Sequence, residues 1–378
     1  MTALHFEKLV FEASELTLQN VLQVGQAFRW ILDEEANEYL TTMRIGDNTH
    51  YSIVILRQLD DTSIEYATTD PKCDPLGLKA HLSKYFRLEV SLRDLLYKEW
   101  LKRDPKFKTV GMRGVRILSQ EPWETLITFI CSSNNNISRI TRMCHALCSN
   151  YGNEVGSYRS TKFYSFPTSD ELLERSSEEQ LRALGFGYRG KYIIETAKKM
   201  VADKAKLTTH GDKKISDAEF LRSSTSGMDH EHAREYLMSF CGVGPKVADC
   251  TALMGLHIDH VVPIDVHLGR IATRDYGIVA TKKNVEDIRK KFGELPISKK
   301  KINPTLEFAR QQLEKKWGPF AGWAQGVLFS KEVGATSGAT TDGKIKRRKY
   351  HDIEPEKENE IAGGMLPSKI PKMDGVKG

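Results

Sequence analysis

The stretch from His230 to Tyr276 constrains this chain more than any other. Ala233, Tyr236, Leu237 and Phe240 recur at helical spacing, which predicts a helix with one buried face over His230 to Phe240. Cys241-Gly242-Val243-Gly244-Pro245 follows. Two glycines around one residue let the backbone turn tightly and approach a ligand closely. Pro245 suits the first position of a new helix, which Lys246 to Cys250 would begin. The pattern predicts a helix–hairpin–helix over 232–255. Its backbone N–H groups at Gly242, Gly244 and the helix start could bind phosphate. Flanked by cations, such a hairpin grips a nucleic-acid backbone without reading sequence. A plain helical hairpin with glycine caps fits the same residues.

Three side chains nearby carry possible chemistry. Lys246 would sit in the first turn of a helix, where the macrodipole opposes a cation. That field and partial burial favour the neutral amine, a nucleophile able to form a Schiff base with an electrophilic sugar carbon. The plainer reading is a solvated lysine lying along the hairpin. Val261-Val262-Pro263-Ile264 brings the chain inward, and Asp265 then starts another helix. Asp265 could be an N-cap alone. It could also face Lys246 and stabilise positive charge developing on a deoxyribose ring. His267 is a surface histidine or a phosphate contact.

The expected fold class is α+β. Tyr39 to Ile45, Ser52 to Leu56 and Ser63 to Ala67 are β-rich, separated by Gly46-Asp47-Asn48 and Asp60-Asp61, which are turn chemistry. With Phe28 to Leu32 they predict an antiparallel meander. Helical patterns follow near Leu78 to Phe86 and Leu92 to Lys102, the second closed by Asp104-Pro105. From about Glu121 the pattern is helical almost throughout. Thr168-x-x-Glu171, Ser176-x-x-Glu179 and Ser216-x-x-Glu219 are capping-box patterns. Lys204 to Ile215 is polar and lysine-rich and predicts a surface loop. The expected domains are a sheet domain with helices over 1–118, a helical domain over 119–330, and a disordered basic tail over 331–378. The tail has one aromatic residue and too little apolar surface to order itself. Its Lys344-Ile345-Lys346-Arg347-Arg348-Lys349 is a solvated charge run, a nuclear localisation signal or a phosphate-binding tail.

Composition narrows the function classes. The chain has 56 basic and 50 acidic residues, a net charge of +6, which permits a nucleic-acid partner without demanding one. Six cysteines without a C-x-x-C pair exclude zinc ribbons and redox dithiols, and are too sparse for a disulfide scaffold. No apolar run approaches about 18 residues, so no transmembrane helix is expected. Acidic Glu7, Glu12 and Glu15 argue against a secretory signal. An intracellular protein without membrane contact is expected.

The order "LMSFCGVGPKVADC" then "VVPIDVHLGRIATRDYG" resembles the helix–hairpin–helix, Gly/Pro-rich loop, aspartate superfamily of DNA glycosylases. "VGQAFRW", "FICSSNNNISRI", "LGFGYRGKY" and "WGPFAGWAQGVLFS" narrow the likeness to the eukaryotic 8-oxoguanine DNA glycosylases. It covers about Leu16 to Ser330. The resemblance implies a bifunctional glycosylase and lyase that flips 8-oxoguanine, paired with cytosine, out of duplex DNA. Lys246 matches the family's nucleophile and Asp265 its essential aspartate. Gly25, Cys250, Gln325 and Phe329 match the base pocket. Asn134, Arg139 and Arg189 match residues that hold the estranged cytosine, and Tyr188 the wedge beside them. Locally, the Asn134-Asn135-Asn136 run could be only a helix cap, and Tyr188 only core. Gly242, Gly244 and His267 match DNA-phosphate contacts. No metal ligands and no iron–sulfur cluster are expected, since no four cysteines stand close together. Exposed hairpin carbonyls could seat a monovalent cation. The protein is expected to act as a monomer, in the nucleus and conceivably in the mitochondrion. Two departures stand out: Cys241 replaces a frequent proline, and Ser330-Lys331-Glu332 lacks the aspartate often found there. The alternatives are another glycosylase of the superfamily and a non-catalytic helix–hairpin–helix DNA-binding protein. The second would need neither Lys246 nor Asp265.

Overall fold

The computed structural model describes residues 4–45, 50–110, 114–207 and 215–336, with side chains to Leu328. Residues up to Ala335 form one compact unit. The Gly46-Asp47-Asn48 turn and the basic run 344–349 lie outside the described residues.

The N-terminal β-rich runs form a five-stranded antiparallel sheet, ordered β1-β5-β4-β3-β2. The strands are β1 Glu7–Val10, β2 Ile31–Asp33, β3 Glu38–Arg44, β4 Tyr51–Gln58 and β5 Ser63–Thr68. The meander β2 to β5 is as expected, although β2 begins three residues later than the run that predicted it. Asp60 makes the β4–β5 turn by accepting from the Thr62 N–H at 2.9 Å. Strand β1 escaped the sequence reading. It adds to the far edge through Leu9↔Ile64.

Both faces of β4 are buried. Val54 and Leu56 meet Leu78, Leu82 and Phe86 in one apolar cluster. Ile53 and Ile55 meet Leu40, Ala67 and Phe163 in another. Phe163 belongs to a hairpin, β6 Glu154–Tyr158 with β7 Thr161–Tyr164, inside the part expected to be helical. This hairpin corrects the nearly all-helical expectation. Its strands are short and polar and include Gly156, so alternation is too weak to see. It is held where Thr42 Oγ1 donates to Tyr164 O at 2.8 Å.

Helices fill the rest. Thr168/Glu171 and Ser216/Glu219 are reciprocal capping boxes as predicted. The third expectation is off by one. Ser177 caps the helix Glu178–Ala183, while Ser176 ends the preceding helix and donates its hydroxyl to Leu172 O. The expected loop at Lys204 is also corrected. The helix Arg189–Leu207 takes in that loop's first four residues, with Lys204 buried against Asp170 and Asp217, while 208–214 lie outside the described residues. Paired in this way, the lysine is core structure, which a polar composition hides.

Candidate active site

The two hairpin helices run His230–Met238 and Pro245–Gly255. The two glycines between them do different work. Gly242 has φ 76°, and a Cβ there would lie 2.6 Å from the Tyr192 ring. Only glycine accepts both conditions. Gly244 is the N-cap of the second helix, with φ −98° and ψ 179°. A Cβ on Gly244 would meet nothing within 4 Å, so this face of the hairpin is open.

Lys246 is the second residue of the second helix and is half-buried. Its Nζ lies 5.3 Å from the centroid of the Phe129 ring. Phe129 sits on the helix Pro122–Cys131, which packs so closely that a Cβ on Gly255 would be 2.9 Å from Pro122 Cα. Phe28 meets Phe129 edge-on at 5.7 Å and ties the segment around Gly25 to this wall. Cys250 lies one turn beyond Lys246 and is 3% exposed. Burial pushes its thiol up to about 12, opposed by Lys246 and assisted by Asp249 and Asp265. Cys250 therefore lies within electrostatic reach of both Lys246 and Asp265.

Asp265 caps the helix Val266–Tyr276. Its Oδ1 accepts from the N–H groups of His267 at 3.0 Å and Leu268 at 2.9 Å. Oδ2 makes no hydrogen bond among the described residues. Capping thus fixes the carboxylate and leaves one oxygen for chemistry. The His267 side chain is exposed beside it. Gln325 Nε2 donates to Pro263 O at 3.1 Å, next to the same loop. Its helix, Ala321–Thr336, is clamped to the loop by Gly322 N–H to Asp259 O at 2.9 Å and Trp323 Nε1 to Asp259 Oδ1 at 2.9 Å. Gly25 has φ 83° and lies against Ile137. The neighbouring Gln26 holds that segment, donating to Arg116 O at 2.8 Å. The Phe329 side chain lies outside the described residues.

A second cluster joins the segments 132–136 and 184–189. Tyr188 Oη donates to Ser133 O at 3.1 Å. Arg189 Nη2 donates to Ser133 O and to Asn134 O. Arg139 Nη2 donates to Gly185 O at 3.0 Å. Asn134 has φ 48°, a left-handed conformation that asparagine tolerates. The helix cap in this run is Asn136, which leaves the Asn134 side chain outside the capping role. Tyr188 is 45% exposed, so it is not core. Arg189 is buried, with Nε lacking a partner.

Sequence reasoning missed a buried ionic network behind the lysine helix. Asp249 accepts from Arg234 Nη2 at 3.0 Å and pairs with His230 at 3.1 Å. Arg234 reaches Glu307 at 2.6 Å, and Glu307 also binds Arg310. Arg310 pairs with Glu314, whose carboxyl is pushed up to about 7 by burial, opposed by Arg310 and by the nearby Val262 backbone. The chain of charges links the helix of Lys246 to the loop that ends at Asp265. The only sequence signal was charged residues falling at core spacing within helices. Lys301 was missed as well, and donates to two hairpin carbonyls.

Comparison with known proteins agrees with this geometry. Residues 8–126 match the family model "8-oxoguanine DNA glycosylase, N-terminal domain". Residues 127–295 match "HhH-GPD superfamily base excision DNA repair protein". The N-glycosylase/DNA lyase of Saccharomyces cerevisiae is 56% identical, over 92% of this chain and 92% of its own. The chain belongs to the 8-oxoguanine DNA glycosylase family. It is a DNA N-glycosylase of base-excision repair with DNA lyase activity. An Arabidopsis thaliana N-glycosylase/DNA lyase is 36% identical over 85% of this chain and 79% of its own. The solved structure of MBOgg1 with a low-affinity DNA ligand superposes with a TM-score of 0.65 at 25% identity, covering 88% of this chain and 100% of that one. The Clostridium acetobutylicum 8-oxoguanine glycosylase/lyase, at 23% identity and a TM-score of 0.64, shares the fold. Within this glycosylase, no group of three His, Cys, Asp or Glu among the described residues could hold a metal ion.

Proposed function

We propose that this glycosylase/lyase excises 8-oxoguanine opposite cytosine with Lys246 as its nucleophile. The observation that carries the reading is a half-buried amine on an apolar wall, and an Asp265 carboxylate with one oxygen unspent, both within electrostatic reach of the buried Cys250. The neutral Lys246 amine attacks C1′ of the flipped nucleotide. The C1′–N9 bond breaks and its electron pair leaves with the base, which takes up a proton. The amine gives up its two protons, one to the base and one to O4′, as the C1′–O4′ bond breaks and C1′=N forms. Loss of a C2′ proton then expels the 3′ phosphate by β-elimination. Asp265 stabilises the positive charge that develops on the sugar.

The remaining roles are those the family resemblance implies. Gly25 offers its carbonyl to the N7–H that marks 8-oxoguanine. Gln325 reads the Watson–Crick edge, and Cys250 with Phe329 sandwiches the ring. Asn134, Arg139 and Arg189 hold the estranged cytosine, with Tyr188 as the wedge. Gly242, Gly244 and His267 bind phosphate. The enzyme works without a cofactor, as a monomer, and in the nucleus. A sheet domain ending near residue 118 and a helical domain reaching about 330 frame the site.

Borohydride trapping tests the reading. Wild type incubated with an 8-oxoguanine:cytosine duplex and then reduced should give a covalent adduct, and Lys246→Gln should not. An undiminished adduct in Lys246→Gln removes the lysine from the chemistry. Asp265→Asn should keep DNA binding and lose most turnover, because an amide still caps the helix but carries no charge.

A further inference from the structure

The hairpin was expected to offer its carbonyl oxygens to a free monovalent cation, and the residues present do not fit that expectation. A side chain already sits there. Lys301 Nζ donates to Met238 O at 2.7 Å and to Val243 O at 2.9 Å. Met238 ends the first hairpin helix, and Val243 lies between the two glycines. Among the described residues no backbone N–H reaches either oxygen. Helix ends leave such carbonyls unserved, and carbonyls converging from two segments form a seat for a cation. An ammonium supplies the same single charge and three donors. A free cation at this seat would meet the ammonium at close range and be repelled.

The lysine is delivered by a two-point clamp. Glu235, on the first hairpin helix, accepts from the N–H groups of Ile297 at 2.8 Å and Ser298 at 2.7 Å. These open the short helix Pro296–Lys301. Three residues after Ser298, Lys301 returns to the hairpin helix at Met238, three residues after Glu235. The register of both helices is thereby fixed. All three lysines of the run Lys299-Lys300-Lys301 are exposed, and among the described residues only the third donates to the hairpin.

We propose that Lys301 is a tethered replacement for a hairpin cation, a positioning residue that holds the hairpin ready for the DNA backbone without a free metal ion. The proposal rests on the reading that this hairpin grips phosphate. The test is performed on the full chain at constant ionic strength, in potassium, lithium or tetramethylammonium chloride. One arm measures anisotropy with an uncleavable duplex bearing a tetrahydrofuran abasic analogue opposite cytosine. Wild type should bind within about 2-fold in all three salts. Lys301→Met should bind about 10-fold more weakly in lithium and tetramethylammonium, and potassium should restore it. A second arm melts the proteins without DNA. Potassium should raise the Tm of Lys301→Met over tetramethylammonium by several degrees and leave wild type unmoved, because a ligand stabilises only the form that has the seat free. A wild-type dependence on potassium, or a variant weakened equally in every salt, overturns the proposal. So does a variant that matches wild type. If wild type binds no duplex in any salt, the phosphate-grip reading fails instead, and the melting arm still decides whether the lysine occupies a cation seat.

Discussion

Replacing each hairpin glycine by alanine should separate folding from DNA binding. At Gly242, alanine must hold φ 76° with its Cβ 2.6 Å from the Tyr192 ring. The left-handed backbone costs about 1–2 kcal/mol. The overlap falls on Cβ and Cγ of Tyr192, the rigid root of that side chain, and costs about 1–2 kcal/mol more. For a 335-residue unit the unfolding entropy is about 0.7 kcal/mol per degree. Gly242→Ala should therefore lower Tm by about 3–6 °C. At Gly244, φ is −98° and the Cβ would point into open space. Losing a glycine N-cap costs about 0.5–1 kcal/mol, or roughly 1 °C. If the DNA backbone approaches this open face, the added methyl stands in its way. Gly244→Ala should then bind an uncleavable abasic duplex at least about 10-fold more weakly, at nearly wild-type Tm. Calorimetry and anisotropy on the same preparations measure both effects. Wild-type affinity in Gly244→Ala would refute the claim that the hairpin's open face meets DNA. A Tm unchanged in Gly242→Ala would refute the steric argument.

Other perturbations probe the surrounding structure. Burial alone would raise the Glu307 carboxyl, but Arg234 and Arg310 outweigh it and hold the group well below the usual carboxylate range. Glu307→Gln removes the carboxylate shared by two buried guanidiniums, leaving Arg234 with Asp249 and Arg310 with Glu314, and should cost about 3 kcal/mol near neutral pH. Because the folded group is the stronger acid, its contribution is present above the unfolded value near 4.3 and is lost on acidification. The Tm gap between wild type and variant should therefore close below about pH 4, and a gap that widens there refutes the assignment. Burial pushes Glu121 up to about 7, so its ionisation opposes folding as pH rises from about 4.5 through 7. Glu121→Gln, which can still cap the helix through its amide oxygen, should gain stability over wild type between pH 5 and 8; a constant difference would contradict this. Arg189→Ala should reduce the preference for cytosine opposite the lesion by about 10-fold in excision assays, with a lower Tm because it also loses bonds to Ser133 and Asn134. An unchanged preference would remove Arg189 from that role.

Much of the fold was legible where one interaction dominated. Strands β3, β4 and β5 are long runs of β-branched and aromatic residues, so periodicity found them. The reciprocal caps at Thr168 and Ser216 are local chemistry complete within four residues. Elements that depend on distant partners were invisible. Strand β1 is four residues long and exists because β5 offers an edge. The β6–β7 hairpin exists because the outer face of β4 is apolar and must be covered, a need that arises about 100 residues earlier in the chain. Lys204 reads as solvent-facing until Asp170 and Asp217 are folded against it.

The site divides along the same line, and the division explains its design. Lys246, Asp265 and the two glycines announce themselves because each serves a local backbone role: second residue of a helix, N-cap, turn and open cap. The groups that aim them do not. The network from Asp249 through Arg234, Glu307 and Arg310 to Glu314 couples the lysine helix to the Val262 loop, and its members come from three helices. Apolar packing alone could hold the same helices with comparable stability. Buried ion pairs add fixed direction, since each bidentate or charge-assisted bond tolerates little displacement. A nucleophile and a carboxylate carried on different helices need that restraint, because misplacement of about 1 Å costs a reaction on the order of 100-fold. Weakening the network should therefore lower the glycosylase rate by more than the lost stability accounts for. A conservative change such as Arg310→Lys is the place to look. If its turnover falls only in proportion to the fraction unfolded, the network is scaffolding and the aiming role belongs elsewhere.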